Sequence, residues 1–489
     1  MKLIFQGHDY RYAVEQSLLA FFPNERPVYD GEEDANTAHV TLTQADGHAT
    51  AVTELSMDGK GARGESSLDI SGAKDDYERE RLLQRVVKLS FFEAARTLTG
   101  VTPAWGALTG IRPAKMAATI MEDGHSAEET DRILRDTYFV SEPRRRLAIE
   151  CARTGLDAER DLAPNDISLY LGIPFCPTRC AYCSFVSNSV EKSFHLVEPY
   201  LEALFREIDS AAELTRDLGL NIKSFYMGGG TPTTLTADQM SRLLERLNTK
   251  FDLSRVVEYT VEAGRPDTIT MDKLLALKNG GVSRVSINPQ SMEDNVLAAI
   301  GRRHSSDDIR AAMELVGSVG FPHVNMDLIA GLPEDTAEGF RRTLDEVIAF
   351  GTDNITIHTL SLKKGSRLTL EGTRIPSVEE VGAMLDYADP TLRGNGFAPY
   401  YLYRQKYMSG SFENVGWCKE GGTGWYNIYI MEELHTILSL GAGGSTKLVD
   451  PANNRIERVF NLKYPKEYID RPEKIRENQA AVRLFYQNK

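Results

Sequence analysis

From Asp166 onward the chain repeats one pattern six times, a short apolar run followed by an amphipathic stretch, and this alternation constrains the fold more than any other feature. The runs are SLYLGI, KSFYMGG, VEYTVEA, SRVSINP, HVNMDLIAG and NITIHTLSL. Helical periodicity separates them over residues 200–214, 237–247, 271–277, 294–300 with 306–319, and 337–350. Strands that are apolar on both faces belong to a parallel sheet whose crossover helices bury it, so the fold class is α/β. The pattern fits either an open doubly wound sheet or a barrel. Both place their chemistry at the carboxyl ends of the strands.

The flanks read differently. Residues 1–160 begin with an extended KLIF, a helical YRYAVEQSLLAFF and alternating AHVTLTQ and ATAVTELSM, and then become helical, which predicts an amino-terminal α+β region. The β/α core is expected over 165–362. Residues 365–489, dense in aromatics, Gly and Arg/Lys, are expected to form an α+β cap over the mouth of the core and to cover the substrate. A length of 489 residues suits two or three such regions.

Three of the five cysteines, Cys176, Cys180 and Cys183, follow the first core strand in GIPFCPTRCAYCSF. An odd, clustered set is not a disulfide framework, and in a reducing compartment it binds metal or does chemistry. Structural zinc prefers paired C-x2-C elements and four ligands, whereas this loop has C-x3-C-x2-C and no nearby histidine. Three thiolates suit an iron–sulfur cluster that keeps one iron without a protein ligand. Cys151 and Cys418 read as ordinary free thiols.

This spacing, with Tyr182 before the last cysteine and at the end of the first strand of a β/α repeat, resembles the radical S-adenosylmethionine (SAM) enzymes. The resemblance implies a partial (β/α)6 barrel and a [4Fe-4S] cluster whose open iron binds SAM. It also implies reductive cleavage of SAM to a 5'-deoxyadenosyl radical, with Cys176, Cys180 and Cys183 as the catalytic metal ligands. Companion motifs are similar to the oxygen-independent coproporphyrinogen III oxidase family. Gly228, Gly229, Gly230 and Thr231, in MGGGTPTTL, match its SAM-binding glycines; Glu262, Gln290, Arg302 and Asp327 match further SAM contacts, and Tyr170 matches a tyrosine near the cluster. The long amino-terminal region and YYLYRQKYMSGSFENVGW resemble the HemZ-type branch. Phe185 stands where the oxidases carry a further cysteine; the heme-chaperone branch also lacks it.

The resemblance implies oxidative decarboxylation of two propionates of coproporphyrinogen III, giving protoporphyrinogen IX. The partners are then a tetrapyrrole, an electron donor and an electron acceptor. The alternatives are a heme-binding chaperone or a radical SAM enzyme acting on another tetrapyrrole such as heme. Tyr400, Tyr401, Tyr403, Arg404, Lys406, Tyr407, Trp417, Lys419, Trp425 and Tyr426 offer rings for a macrocycle and cations for its propionates. A net charge of -14 opposes nucleic-acid binding. No apolar run reaches bilayer length and the start of the chain turns polar early, so no membrane span and a cytoplasmic location are expected. GAGGSTK lacks the Gly-Lys-Ser/Thr order of a phosphate loop. His304, His323, His358 and His435 share no ligand spacing and read as structural.

Overall fold

The computed structural model describes residues 1–23, 25–30, 36–183, 188–361, 374–405 and 408–489. Phe185, Lys406 and Tyr407 lie outside the described residues, as does Leu362 at the expected end of the core. Two compact units are present, one of residues 1–149 with 404–412 and one of 150–403 with 413–489. The division falls inside a single helix, Glu142–Arg160, ahead of the boundary expected near 160.

In the first unit β1 (Lys2–Gln6), β2 (Thr37–Ala45), β3 (His48–Met57) and β4 (Lys60–Asp69) form one sheet in that order. α1 (Arg11–Phe21) makes the crossover that leaves β1 parallel to β2, and the other pairs are antiparallel. Alternate residues Ala38, Val40 and Leu42 of β2 and Ala49, Ala51 and Leu55 of β3 face inward. They meet Val86, Val87 and Phe91 of α2 (Asp76–Thr99) in one core. α2 is held at both ends: the Asp75 side chain accepts from the Glu78 N–H, and Gly100 closes it in a left-handed conformation. β4 carries no apolar alternation to announce it, because Gly, Ser and charged residues dominate it. Its Gly64 explains part of that composition. A Cβ there would stand 2.2 Å from the Ser90 carbonyl oxygen of α2, so only glycine lets the helix lie on the strand.

The second unit is built on an 11-stranded sheet. Its centre is β5 (Asp166–Ile173), β6 (Asn221–Gly229), β7 (Glu258–Glu262), β8 (Arg284–Gln290), β9 (His323–Ala330) and β10 (Asn354–Thr359), all parallel and adjacent in chain order. Right-handed crossovers between strands whose order never reverses put every helix on one face, which is barrel winding rather than double winding. The sheet does not close on itself, since β5 and β10 pair outward with different strands. On the β10 side come β11 (Ala398–Tyr403) and β12 (Asn414–Cys418); on the β5 side come β13 (Ile437–Leu440), β14 (Ser445–Asp450) and β15 (Arg455–Phe460). The described part of the carboxyl-terminal region thus continues the core sheet at both edges. A sheet whose edges carry further strands leaves the carboxyl ends of β5 to β10 aligned along one rim.

Candidate active site

The cysteine loop leaves β5 through Pro174 and the buried Phe175, whose ring meets Tyr200 edge-on at 5.4 Å. Just after β6, the Gly230 N–H donates to the Ile173 carbonyl and the Thr231 N–H to the Phe175 carbonyl, each at 2.7 Å. This lacing explains the glycine triplet. A Cβ on Gly230 would lie 2.5 Å from the Phe175 oxygen and push the two segments apart. The Thr231 hydroxyl donates to Cys176 Sγ at 3.5 Å, and the Ala181 N–H donates to the Ile300 carbonyl at 3.0 Å, anchoring the loop from two sides. Cys176, Cys180 and Cys183 are half-buried, while Cys151 and Cys418 are buried free thiols.

The donor set fits an iron–sulfur cluster. Three thiols share one partly exposed loop. A cubane accepts three thiolates and keeps one position open, whereas structural zinc takes four protein ligands.

Of the other expected residues, Glu262 and Gln290 end their strands, while Tyr170 and Asp327 lie within theirs. Tyr182, between the second and third cysteines, accepts a hydrogen bond at 3.0 Å from Arg302. Arg302 is 8% exposed and also donates to the carbonyls of Gly264 and Asn288; its Nε is buried without a protein acceptor. The Asn288 side chain accepts from Ser286, Ser286 from Asn325, and Asn325 donates to Asp327 at 2.8 Å. One chain of hydrogen-bonded residues therefore runs from the cysteine loop to Asp327 within β9. Gln290 ends β8 at φ +73°, where the pairing with β9 shifts register. A non-glycine residue held in the left-handed region is strained by roughly 1–2 kcal/mol, a cost that clusters at binding sites.

Glu262 ends β7 and accepts a 2.6 Å hydrogen bond from Tyr226. Burial pushes its carboxyl up to about 7; the Tyr226 hydrogen bond and His358 pull downward, and Asp327 pushes upward. Tyr226 lies nearly parallel to Tyr170 (6.3 Å, 13°) and to Tyr426 (4.6 Å, 21°), and those two rings are themselves 6.4 Å apart. Tyr226, Asn288, Asn325 and Arg265 were not singled out from the sequence. Tyr226 carries only the weak signal of its inward phase in KSFYMGG.

Histidines divide by location. His358 Nε2 stands 3.7 Å from Asp327, inside the site rather than remote from it. His304 is buried near Asp267, His323 pairs with Asp353 at 2.5 Å, and His435 bonds Ser168 at 2.7 Å, where burial pushes it down to about 3. GAGGSTK is closed to phosphate: the Gly441 N–H already donates to the buried Glu207 carboxylate at 2.7 Å. Of the carboxyl-terminal aromatics, Tyr400, Tyr401 and Trp417 are buried in packing, and Tyr426 reaches the tyrosine stack. Arg404 belongs with the first unit, where its guanidinium donates to the carbonyls of Leu108, Gly110 and Ser411.

A model of the radical SAM superfamily matches residues 170–347. The oxygen-independent coproporphyrinogen-III oxidase-like protein HemZ of Bacillus subtilis (strain 168) is 36% identical over 480 residues, 96% of this chain and 95% of that protein. The heme chaperone HemW of the same organism is 27% identical over 330 residues, 65% of this chain and 82% of its own. Among solved structures, coproporphyrinogen III oxidase (HemN) from Escherichia coli, a radical SAM enzyme, shares the fold with a TM-score of 0.51 at 23% identity, covering 66% of this chain and 72% of that one. With its glycine-laced cysteine loop and its full-length likeness to HemZ, the chain belongs to the radical SAM family of oxygen-independent coproporphyrinogen-III oxidase-like proteins.

Proposed function

We propose that this protein oxidatively decarboxylates coproporphyrinogen III to protoporphyrinogen IX, with Cys176, Cys180 and Cys183 holding a [4Fe-4S] cluster and the rim from Tyr170 to Asp327 holding SAM. The observation that carries the reading is the polar network joining the cysteine loop, through Tyr182 and Arg302, to Asn288 of β8 and Asp327 of β9. When bound together, cluster and SAM supply a one-electron cleavage that yields a carbon radical able to take hydrogen from an unactivated carbon.

The chain's own residues do the binding and positioning. Glu262 and Asp327 offer carboxylate acceptors to an ammonium or hydroxyl group. Arg302 keeps one buried donor, Nε, for a ligand acceptor, and Gly228, lacking a Cβ, leaves room for the Glu262 carboxyl beside it. Tyr170, Tyr226 and Tyr426 form an aromatic wall beside Glu262 that excludes water. Each propionate loses one hydrogen atom from its β-carbon, then carbon dioxide, and passes one electron to an acceptor as the vinyl group forms. An external donor supplies the electron that cleaves SAM.

The test is an anaerobic incubation of reconstituted protein with SAM, a one-electron reductant, an electron acceptor and coproporphyrinogen III, following 5'-deoxyadenosine and tetrapyrrole masses together. Two successive losses of carbon dioxide with hydrogen, matched by deoxyadenosine and absent in Cys183→Ala, are the expected result. Likeness to HemW and Phe185 in the position of the oxidases' additional cysteine favour a second reading, a heme-binding chaperone. Stoichiometric heme binding with no tetrapyrrole product would replace the first reading with that one. Deoxyadenosine formed while coproporphyrinogen stays unchanged would move the substrate to another tetrapyrrole, heme first.

A further inference from the structure

Cys176 and Cys180 each receive a side-chain hydrogen bond from outside the loop. Cys176 receives the Thr231 hydroxyl, and Cys180 receives Arg265 Nη1 at 3.7 Å. Nothing in the cysteine motif or its companions points to Arg265. It follows β7 by three residues, in EAGRPDT, and looks there like a loop cation. In the structure it is 3% exposed, and a guanidinium so placed needs a full set of partners.

Those partners are specific. Nε and Nη2 form a two-pronged pair with the Asp267 carboxylate, both at 2.9 Å. Nη1 donates to the Thr178 hydroxyl at 3.1 Å and contacts the Thr178 carbonyl at 3.4 Å, within the loop between the first two cysteines. The Arg265 backbone is held as well, because its carbonyl accepts from the Thr268 N–H and hydroxyl. His304 Nδ1 stands 3.6 Å from Asp267 on the far side. The cation is thus fixed from behind by an anion and aimed at one sulfur and its flanking backbone.

We propose that Arg265, oriented by Asp267, is a positioning residue for the iron–sulfur centre: it grips the Cys176–Cys180 segment and, by placing a buried positive charge against Cys180, raises the reduction potential of the cluster. Hydrogen bonds and charge at the ligating sulfurs are the protein's main control over such potentials. Reduction adds negative charge to the cluster, and a nearby cation stabilises the reduced form more than the oxidised one. The inference rests on cluster binding by the three cysteines and is independent of which tetrapyrrole is the substrate.

The experiment is an anaerobic redox titration of reconstituted full-length protein, without substrate, read by the electron paramagnetic resonance signal of the reduced cluster. At the poise that half-reduces the wild type, Arg265→Gln should show a reduced-to-oxidised ratio lower by about tenfold, the scale of a lost charge-assisted hydrogen bond. Arg265→Lys should recover part of it. Asp267→Asn removes the opposing anion, so its titration should move the opposite way, toward easier reduction. It also keeps the test decisive should Arg265→Gln fail to retain iron. Release of iron to a chelator should be faster in Arg265→Gln than in Arg265→Lys. Titrations of Arg265→Gln and wild type that coincide, or shifts of the same sign in Arg265→Gln and Asp267→Asn, overturn the proposal. A wild type that takes up no reducible cluster overturns the underlying cluster assignment instead.

Discussion

Glu262 shows how far a single residue departs from its ordinary chemistry when a fold encloses it. Burial, which disfavours the charged form, pushes its carboxyl up from an ordinary 4.5 to about 7 in the fold. A carboxyl raised in the folded state makes stability fall as pH climbs from about 4.5 to about 7, with the full penalty present above that range. For binding the sign is opposite: the carboxylate that attracts a cationic amine forms only as pH passes about 7. SAM affinity of the reconstituted protein, measured by equilibrium dialysis, should therefore strengthen with pH through that value. Glu262→Gln should bind about tenfold more weakly and with a flat profile, from the loss of a charged hydrogen bond. A variant that keeps the wild-type slope would remove Glu262 from the site. At this scale the cysteines are legible because their spacing on one loop is itself the chemistry. Arg265 and Asn325 are not, because each acts on a partner distant in sequence, Arg265 on Cys180 and Asn325 on Ser286.

Among the elements, the core strands and their helices follow directly from periodicity, and strands such as β5 and β8 are buried on both faces. β4 shows the opposite case. GARGESS has poor intrinsic strand character, and what makes it a strand is in-register pairing with β3 together with the contact that α2 makes over Gly64. Gly64→Ala should lower the stability of the amino-terminal unit by about 1–3 kcal/mol, the usual cost of forcing extra volume into close packing. Denaturant unfolding followed by circular dichroism reads this, and an unchanged midpoint would show that α2 can retreat from the strand. The carboxyl-terminal strands were also hidden as sheet members. Aromatic-rich runs such as APYYLY and NVGWC fit a cap as well as a sheet edge, and only the pairing of β12 with β10 decides between them.

At the level of the whole molecule, binding a cluster and SAM to the folded chain alone should stabilise it by mass action. Anaerobic reconstitution should raise the thermal midpoint of the chain, SAM should raise it further, and air oxidation should reverse the gain. Identical midpoints for iron-loaded and iron-free protein would mean that the cysteine loop carries no stable cluster. Among the described residues no helix is long and apolar enough to cross a membrane. What the sequence determined by itself was local and periodic: the six β/α repeats, the three-thiol loop, the glycine turn after the second core strand and the resemblance these carry together. Tertiary structure alone decided that the core sheet stays open and gains strands at both edges, that His358 joins Asp327 while Arg404 is spent on carbonyls, and that Arg265 reaches a cysteine sulfur. The physical reason is that spacing and periodicity report what a residue's immediate neighbours permit, whereas pairing partners, burial and the shift of a carboxyl toward neutrality arise only when distant segments exclude water together.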